Sequence, residues 1–255
     1  MRKLYWILLN QMGLNFRKFF LSFFRFPRFF SDYFKFSKLY SGKIVIKPCI
    51  HDSFDEAGVM NDEYFLQDLI IAKKIFLNNP KRHVDIGSRI DGFIAHLASF
   101  REVDVFDIRP ISKMVAGINF FQMDFMSVGE FFKDQDKTDS LSCLHTIEHF
   151  GLGRYGDKIN PDGYKIGIMN LSKLLVTEGI LYLSTPVGME RVEFNANRVF
   201  DPATIINEAK KNSLNLTKFT LIDSHGESVE LELANVLKLK NDKYNLGIFE
   251  FIKVG

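Results

Sequence analysis

The chain has 255 residues, of which 46% are hydrophobic and 25% charged, which excludes a disordered or fibrous protein and is typical of a globular one. Two cysteines, Cys49 and Cys143, are too few for a disulfide framework and indicate a reducing compartment, so we expect a cytoplasmic protein. The net charge is only +2, yet residues 1–40 contain eight Lys or Arg, one acid and ten of the 27 Phe.

Residues 1–40 are predicted to be a basic aromatic extension of a domain in residues 41–255. The longest charge-free run, 4–16, is too short to span a bilayer, and no cleavage site of a secretory signal follows it. Pro27 should break a helical face that carries Phe16, Phe19, Phe20 and Phe23. The segment suits peripheral contact with the anionic inner face of a membrane, and packing on the domain as a lid or dimer arm is the alternative.

Strands and helices are predicted to alternate along the domain. A short strand at 43–47 precedes an amphipathic helix that is capped by Asn61 or Asp62 and presents Tyr64, Phe65, Leu69, Ala72, Ile75 and Phe76. Seven further strands are predicted at 83–87, 103–108, 119–124, 140–145, 179–185, 216–222 and 246–254. Between them, helices should begin near Asp91, Gly163 and Pro202, the last behind an Asp201 cap. This alternation predicts a parallel sheet with helices on both faces and an antiparallel last strand.

The stretch 83–93 is the one around which the predicted site is organised. A short apolar strand turns at Gly87 and enters a helix, so backbone N–H groups and the positive helix end point into one crevice that suits a nucleotide or an anion. Neither G-x-G-x-x-G nor the P-loop motif is present, which disfavours the common dinucleotide and P-loop classes. Ligands bind beyond the carboxyl ends of parallel strands, so the residues at these ends should gather along one edge: Asp85–Gly87, Asp107, Asp124, His145 and Thr185-Pro186.

Several motifs resemble, in the same order, those of S-adenosylmethionine-dependent methyltransferases of the seven-stranded kind. Residues 84–87 resemble the first motif, and Asp107, 22 residues after Asp85, stands where that family has an acid for the ribose hydroxyls. Asp124 and Phe125 resemble the pair that flanks the adenine, and 144–150 and 174–186 resemble the ending of the fourth strand and the approach to the fifth. The resemblance implies a three-layer α/β sandwich with a mostly parallel seven-stranded sheet whose last strand is antiparallel. It also implies S-adenosylmethionine as cofactor, bound by Asp85, Gly87, Ser88, Arg89, Asp107, Asp124 and Phe125.

A closer resemblance links 83–89, 144–157 and 194–200 to domain of unknown function 268, an uncharacterised bacterial family found among genes for surface-glycan assembly. This resemblance implies a methyltransferase-like core but no established activity. Our hypothesis is a methyltransferase that acts on a hydroxyl of a surface-polysaccharide or glycolipid precursor. Guanidinium and amide groups suit phosphate and sugar hydroxyls, so the expected acceptor site comprises Arg154, Tyr155, Asp157, Asn195, Asn197 and Arg198.

The catalytic candidates follow the fourth strand. His145 is the first polar side chain there and would be the general base, with Glu148 and His149 in reserve, whereas a capping role for His145 is the alternative. The same residues match the H-x-x-E-H zinc motif, which needs both imidazoles on one helical face. A strand before His145 and glycines at 151 and 153 disfavour that helix, so we expect no metal.

Arg89 departs from the methyltransferase pattern, which usually has small residues there. Its guanidinium would repel a sulfonium, although it could also pair with the cofactor carboxylate or with Asp91. The alternative function is therefore a non-catalytic methyltransferase fold that binds a nucleotide sugar or a glycan-assembly partner at the membrane surface. We expect no nucleic-acid partner, and the oligomeric state is left open.

Overall fold

The computed structural model describes residues 16–50, 63–127, 133–223 and 225–255, and the chain divides into two compact units, Met1–Val59 and Met60–Gly255. The charge-free run at 4–16 and the caps at Asn61 and Asp62 therefore lie wholly or mostly outside the described residues. The boundary between an extension and a domain at residues 40 and 41 stays a prediction.

The described part of the first unit contains one long helix, α1 (Phe16–Leu39). The break predicted at Pro27 is wrong, because Pro27 lies inside a continuous helix and costs it one N–H donor without ending it. The side chains of Phe16 and Phe19 are outside the described part of the chain. Among the described residues, no helix combines the length and hydrophobicity needed to cross a membrane.

The strand predicted at 43–47 is also wrong. These residues have no regular secondary structure, and Val45 and Ile46 are exposed. A strand needs a hydrogen-bonded neighbour, and within the described residues no strand of either sheet pairs with this segment.

The second unit is built on an eight-stranded sheet of order β3-β2-β1-β4-β5-β10-β8-β9. Its strands are β1 (His83–Ile86), β2 (Val103–Asp107), β3 (Ile118–Gln122), β4 (Thr138–Leu144), β5 (Leu175–Val187), β8 (Leu214–Ile222), β9 (Ser228–Glu230) and β10 (Asn245–Lys253). A separate antiparallel hairpin pairs β6 (Arg191–Glu193) with β7 (Asn197–Val199). Strands β1 to β5 pair in parallel, whereas β10 is antiparallel to both β5 and β8. The predicted fold class is confirmed, and the short edge strand β9 adds an eighth strand to the seven predicted.

Helices cover both faces of the sheet. They are α2 (Glu63–Asn78), a π-helical turn (Ile90–Ile94) continuing into α3 (Ala95–Ala98), α4 (Gly163–Leu174), α5 (Pro202–Lys211) and the short α6 (Leu233–Val236). Side chains alternate across β10, so Phe249 and Phe251 join the core under α4 and α5, whereas Ile248 joins the core under α2 and α3. The predicted cap of α5 is confirmed, since the Asp201 carboxylate accepts from the Ala203 N–H at 2.9 Å.

Candidate functional site

A cavity of about 640 Å³ opens at the carboxyl ends of β1, β2 and β4. Its wall combines the loops that follow these strands with residues of α2 and of the segment from His149 to Asp157. Sites for small ligands usually fall between roughly 300 and 1,000 Å³, so the cavity has the size of a cofactor or substrate site.

The turn at Gly87 fixes one side of the cavity. Gly87 has φ of +78°, and a Cβ atom added there would clash with Thr146 Cγ2. Its N–H donates to the Phe106 carbonyl at 2.8 Å. Glycine is therefore required on two counts, the positive φ and the close approach of the loop that follows β4.

Asp85 is fully buried and stabilises this turn through hydrogen bonds to its carboxylate. Its carboxylate accepts from the Ser88 N–H at 3.0 Å, from Ser88 Oγ at 2.8 Å and from the Ser142 hydroxyl. Burial raises the pKa of Asp85 to about 7, although these hydrogen bonds oppose the shift. Of the predicted cofactor residues, Gly87, Ser88 and Arg89 line the cavity, but Asp85 does not, so its placement favours shaping the loop.

Asp107 ends β2 at the cavity wall, and its carboxylate is held by Arg109. The Arg109 Nε lies 3.0 and 3.1 Å from the two carboxylate oxygens, and the Arg109 backbone N–H donates to Oδ1 at 2.8 Å. A second guanidinium nitrogen donates to the Gly87 carbonyl at 3.0 Å. The hydrogen bonds to Asp107 raise the pKa of Arg109. Sequence reasoning missed Arg109, and a cation two residues after the strand-end acid was the signal for it.

Asp124 and Phe125 complete this side of the cavity after β3. Asp124 Oδ1 accepts from the Met126 N–H at 2.9 Å, and the buried Phe125 is anchored because its carbonyl accepts from Asn170 Nδ2 at 2.8 Å. Arg89, by contrast, is exposed and forms an ion pair with Asp91 at 2.8 Å. That pairing is one of the two predicted for Arg89.

His145 follows β4 with φ of +50° and lies buried between two carboxylates. Its Nδ1 is 2.8 Å from Glu148 Oε1, and its Nε2 is 3.4 Å from Glu63 Oε1, an ion-pair distance without a well-aligned hydrogen bond. The ring of Tyr64 stacks on it at 4.3 Å between centroids. Burial lowers the pKa of His145, but Glu148 and Glu63 outweigh that effect and raise it to about 9. A group protonated at neutral pH cannot accept a proton, so this environment argues against His145 as general base and favours a positioning role.

His149 also lines the cavity, but its pKa is shifted in the opposite direction to that of His145. Its Nδ1 is 2.8 Å from the Ala196 carbonyl, which only an Nδ1–H can satisfy, so Nε2 carries the lone pair. Burial lowers the pKa of His149, and Nε2 is 3.8 Å from the fully buried Glu148 carboxylate. Thr185 Oγ1 donates to the other oxygen of Glu148 at 3.4 Å.

The predicted acceptor residues separate into two groups. Arg154, Tyr155 and Asp157 line the cavity, where the Tyr155 ring has the Arg109 and Arg154 guanidinium carbons at 5.1 and 5.2 Å from its centroid. Asp157 folds its own loop, since Oδ2 accepts from the N–H groups of residues 151 and 153.

The second group lies outside the cavity wall. Asn195 is exposed, Asn197 donates to the Arg198 carbonyl, and both belong to the β6–β7 hairpin. Arg198 is buried, and its guanidinium donates to the carbonyls of Glu148, Phe150 and Pro161. These bonds hold the loop after β4 together, which makes Arg198 a structural residue in this placement.

The helix α2 supplies cavity residues that sequence reasoning missed. Tyr64, Gln67 and Asp68 line the wall, and the buried face of α2 carries Gln67, Asp68, Ile71, Ala72 and Ile75. The prediction therefore placed the buried face of α2 on the wrong side in part. It included Phe76, which is exposed, and left out Gln67 and Asp68, which are buried. Gln67 and Asp68 come four and three residues before Ile71, so they share its helical face. This spacing was the signal that the buried face of α2 meets a polar site.

The zinc motif does not form the helix it needs. His145 is in the left-handed region, and Ile147–His149 make only one 3-10 turn, so the two imidazoles do not share an α-helical face. Among the described residues, no group of three or more His, Cys, Asp or Glu is arranged to hold a metal ion. The absence of a metal stays a prediction.

Solved structures with the same fold include the [4+2]-cyclase SpnF, with 12% identity and a TM-score of 0.53 over 74% of this chain and 81% of that one. The N-methyltransferase NodS from Bradyrhizobium japonicum, in complex with S-adenosyl-L-homocysteine, is 13% identical, with a TM-score of 0.50 over 75% and 88% of the two chains. An S-adenosylmethionine-dependent methyltransferase from Clostridium acetobutylicum is 13% identical, with a TM-score of 0.51 over 81% and 97%. Identity this low establishes the fold alone: the chain has the class I methyltransferase-like fold.

A family model described as "Caenorhabditis protein of unknown function, DUF268" matches residues 114–239. The predicted resemblance to that family is confirmed for these residues, whereas its link to bacterial surface-glycan genes stays a prediction. No curated protein matches the chain significantly.

Proposed function

We propose that this protein is an S-adenosylmethionine-dependent methyltransferase that modifies a hydroxyl of a surface-polysaccharide or glycolipid precursor in the cytoplasm. The observation that carries the proposal is the cavity wall, where Gly87, Asp107 and Asp124 follow three adjacent parallel strands. Acids at the ends of β2 and β3 suit the ribose and adenine of an adenosine. The solved structures of methyltransferases with this fold support the same cofactor.

The residues present fit that cofactor with one rearrangement. Asp107 is the expected acceptor for the ribose hydroxyls, and Arg109 now holds its carboxylate. Because the Arg109 side chain is 39% exposed, it can turn towards solvent when hydroxyl groups replace it. Asp124 and Phe125 would hold the adenine, and Ser88 would lie beside the amino-acid end. When bound, S-adenosylmethionine supplies an electrophilic methyl group.

His149 is the general base in this proposal, and His145 holds the Glu148 carboxylate beside it. Donation from Nδ1–H to the Ala196 carbonyl fixes the tautomer of His149, so Nε2 is ready to accept the proton of an acceptor hydroxyl. The lowered pKa keeps the imidazole neutral at pH 7. Glu148 lies beside both rings and favours the imidazolium of His149 once it has taken the proton.

Arg154 and Tyr155 support a sugar or sugar phosphate as the acceptor. Tyr155 presents an exposed ring at the cavity wall, and the guanidinium groups of Arg109 and Arg154 stand beside it. A guanidinium binds phosphate oxygens in bidentate fashion, and an aromatic ring packs against the apolar face of a sugar.

A second candidate, a non-catalytic protein that binds a nucleotide sugar, is favoured by the Arg109–Asp107 pair. As long as that pair persists, Asp107 is not available for ribose hydroxyls, whereas Arg154 remains at the wall as a group that binds phosphate oxygens.

Calorimetric titration separates the two functions. We expect S-adenosylmethionine and S-adenosylhomocysteine to bind, and UDP-glucose to bind weakly or not at all, whereas the reverse order would support the second candidate. Transfer of labelled methyl groups to lipid-linked sugars should then fall about 10²–10⁴-fold in His149→Gln with cofactor binding retained. Full activity of that variant would remove His149 from the reaction.

A further inference from the structure

The helix α1 has a row of aromatic side chains on one side and a row of charged side chains on the other, with the exposed Phe24 and Phe36 at the borders of the charged row. Phe23, Phe26, Phe30 and Phe34 follow one another at spacings of three or four residues and therefore share one side. All four are exposed, between 40% and 72%. The opposite side repeats the same spacing with Arg25, Arg28, Asp32 and Lys35.

Soluble monomeric proteins rarely expose a continuous row of large aromatic side chains, so we expect this side of α1 to contact an apolar partner. The charges indicate which one. The helix contains six basic residues and one acid, Asp32. Asp32 lies 3.7 Å from Arg28 and 4.0 Å from Lys35, but these are exposed ion pairs of little strength that anionic groups can replace.

We propose that α1 is an interfacial helix that binds this protein peripherally to the surface of an anionic lipid bilayer. A helix of this length extends for about 36 Å and would lie in the membrane plane. The four Phe would enter the boundary between headgroups and acyl chains, while Arg28 and Lys35 reach the lipid phosphates. This inference is independent of the proposed reaction.

Flotation of the full chain with phosphatidylcholine vesicles, with and without phosphatidylserine, tests the proposal. We expect binding only when phosphatidylserine is present, and weaker binding as salt is added. The triple variant Phe23→Ser, Phe30→Ser, Phe34→Ser should bind about 100-fold more weakly or worse, because each buried Phe contributes strongly. Arg28→Gln with Lys35→Gln should bind about tenfold to thirtyfold more weakly at low salt.

A matched control carries Phe76→Ser and Phe194→Ser, two similarly exposed phenylalanines outside α1. It should bind vesicles like the unchanged chain. Equal binding by the triple variant, or absence of binding by the unchanged chain, would overturn the proposal. If the triple variant instead abolished a dimer in analytical ultracentrifugation and no vesicle binding were seen, the face would be a contact between two copies.

A polarity-sensitive dye tests the orientation of the helix without weakening the whole aromatic face. In a Cys49→Ser background, which removes the exposed native thiol, the dye is attached through Phe30→Cys or through Arg28→Cys. Vesicles should shift the emission to the blue at position 30 and leave it nearly unchanged at position 28. Equal shifts at both positions would contradict a bilayer-facing aromatic side.

Discussion

Two carboxylates at the same edge of the sheet each hold a cation, and they do so in opposite surroundings. Asp107, at the end of β2, pairs with Arg109, whose side chain is 39% exposed. Glu148, after β4, is fully buried and pairs with His145, whose side chain is only 5% exposed. The Asp107 carboxylate is itself buried, but the first pair opens to the cavity on the Arg109 side, so ligand hydroxyls can replace the guanidinium there, whereas separating the second pair leaves a charge in the protein interior. We therefore assign cofactor recognition to Asp107 and Arg109, and rigidity to the buried pair of Glu148 and His145.

The buried pair should give the largest effect. Glu148→Gln removes the partner of a buried imidazolium, and loss of one member of such a pair costs about 3–5 kcal/mol of unfolding free energy. Urea denaturation at pH 7 measures it. Glu193→Gln, which breaks an exposed ion pair with Arg191, is the matched control and should cost less than about 1 kcal/mol. Similar losses in the two variants would mean that burial does not distinguish the pairs.

The same pair predicts a pH dependence. The pKa of His145 rises from 6.5 to about 9 on folding, so the folded state binds the proton more tightly. This contribution is fully present below pH 6.5 and is lost as the pH rises through 9, amounting to about 3 kcal/mol at most. The difference in unfolding free energy between the unchanged chain and His145→Gln should shrink across that window. A difference that is constant from pH 6 to about 9.5 would contradict a raised pKa.

The pair at the cavity wall, Asp107 with Arg109, should act on binding. Asp107→Ala should weaken the binding of S-adenosylhomocysteine by about 1.5–3 kcal/mol, the usual contribution of a hydrogen bond to a charged group. Isothermal titration calorimetry measures it, with Asp104→Ala on the same strand as control because Asp104 does not line the cavity and pairs with Arg82. Unchanged affinity in Asp107→Ala would remove Asp107 from the cofactor site.

Arg109→Ala should cost less stability than Glu148→Gln, because the Asp107 carboxylate, although only 9% exposed, lies at the cavity wall, where water can take the place of the guanidinium. The same variant should bind S-adenosylhomocysteine at least as tightly as the unchanged chain, since Asp107 no longer has to be released. A stability loss like that of Glu148→Gln would erase the contrast between the two pairs.

Local signals were sufficient for most of the fold. Alternating strands and helices, the turn at Gly87 and the Asp201 cap before Pro202 each depend on a few neighbouring residues, and the structure has all three. Local signals failed at Pro27, where the helix continued, and at 43–47, where an apolar run found no strand to pair with.

The candidate site was less predictable because it depends on contacts between distant segments. Position along the chain placed Asp107 and Asp124 at the cavity wall, but it could not show that Glu63, 82 residues before His145, would bring a second carboxylate to that ring. Nor could it show that the Arg198 guanidinium donates its hydrogen bonds to three backbone carbonyls. In both instances the partner is set by tertiary packing, and the protonation state follows from the partner.

The position of β10 has a consequence for the order in which the chain can fold. This strand is the last of the sheet in sequence, yet it lies between β5 and β8 and bonds to both. When synthesis has released the chain only as far as Ile222, the parallel strands β1 to β5 are complete. At that point β8 still has no strand beside it. Until residues 245–253 emerge, β5 and β8 each present an unpaired edge that invites wrong pairing. The sheet can therefore close only late in synthesis, through contacts between residues that are far apart in the sequence.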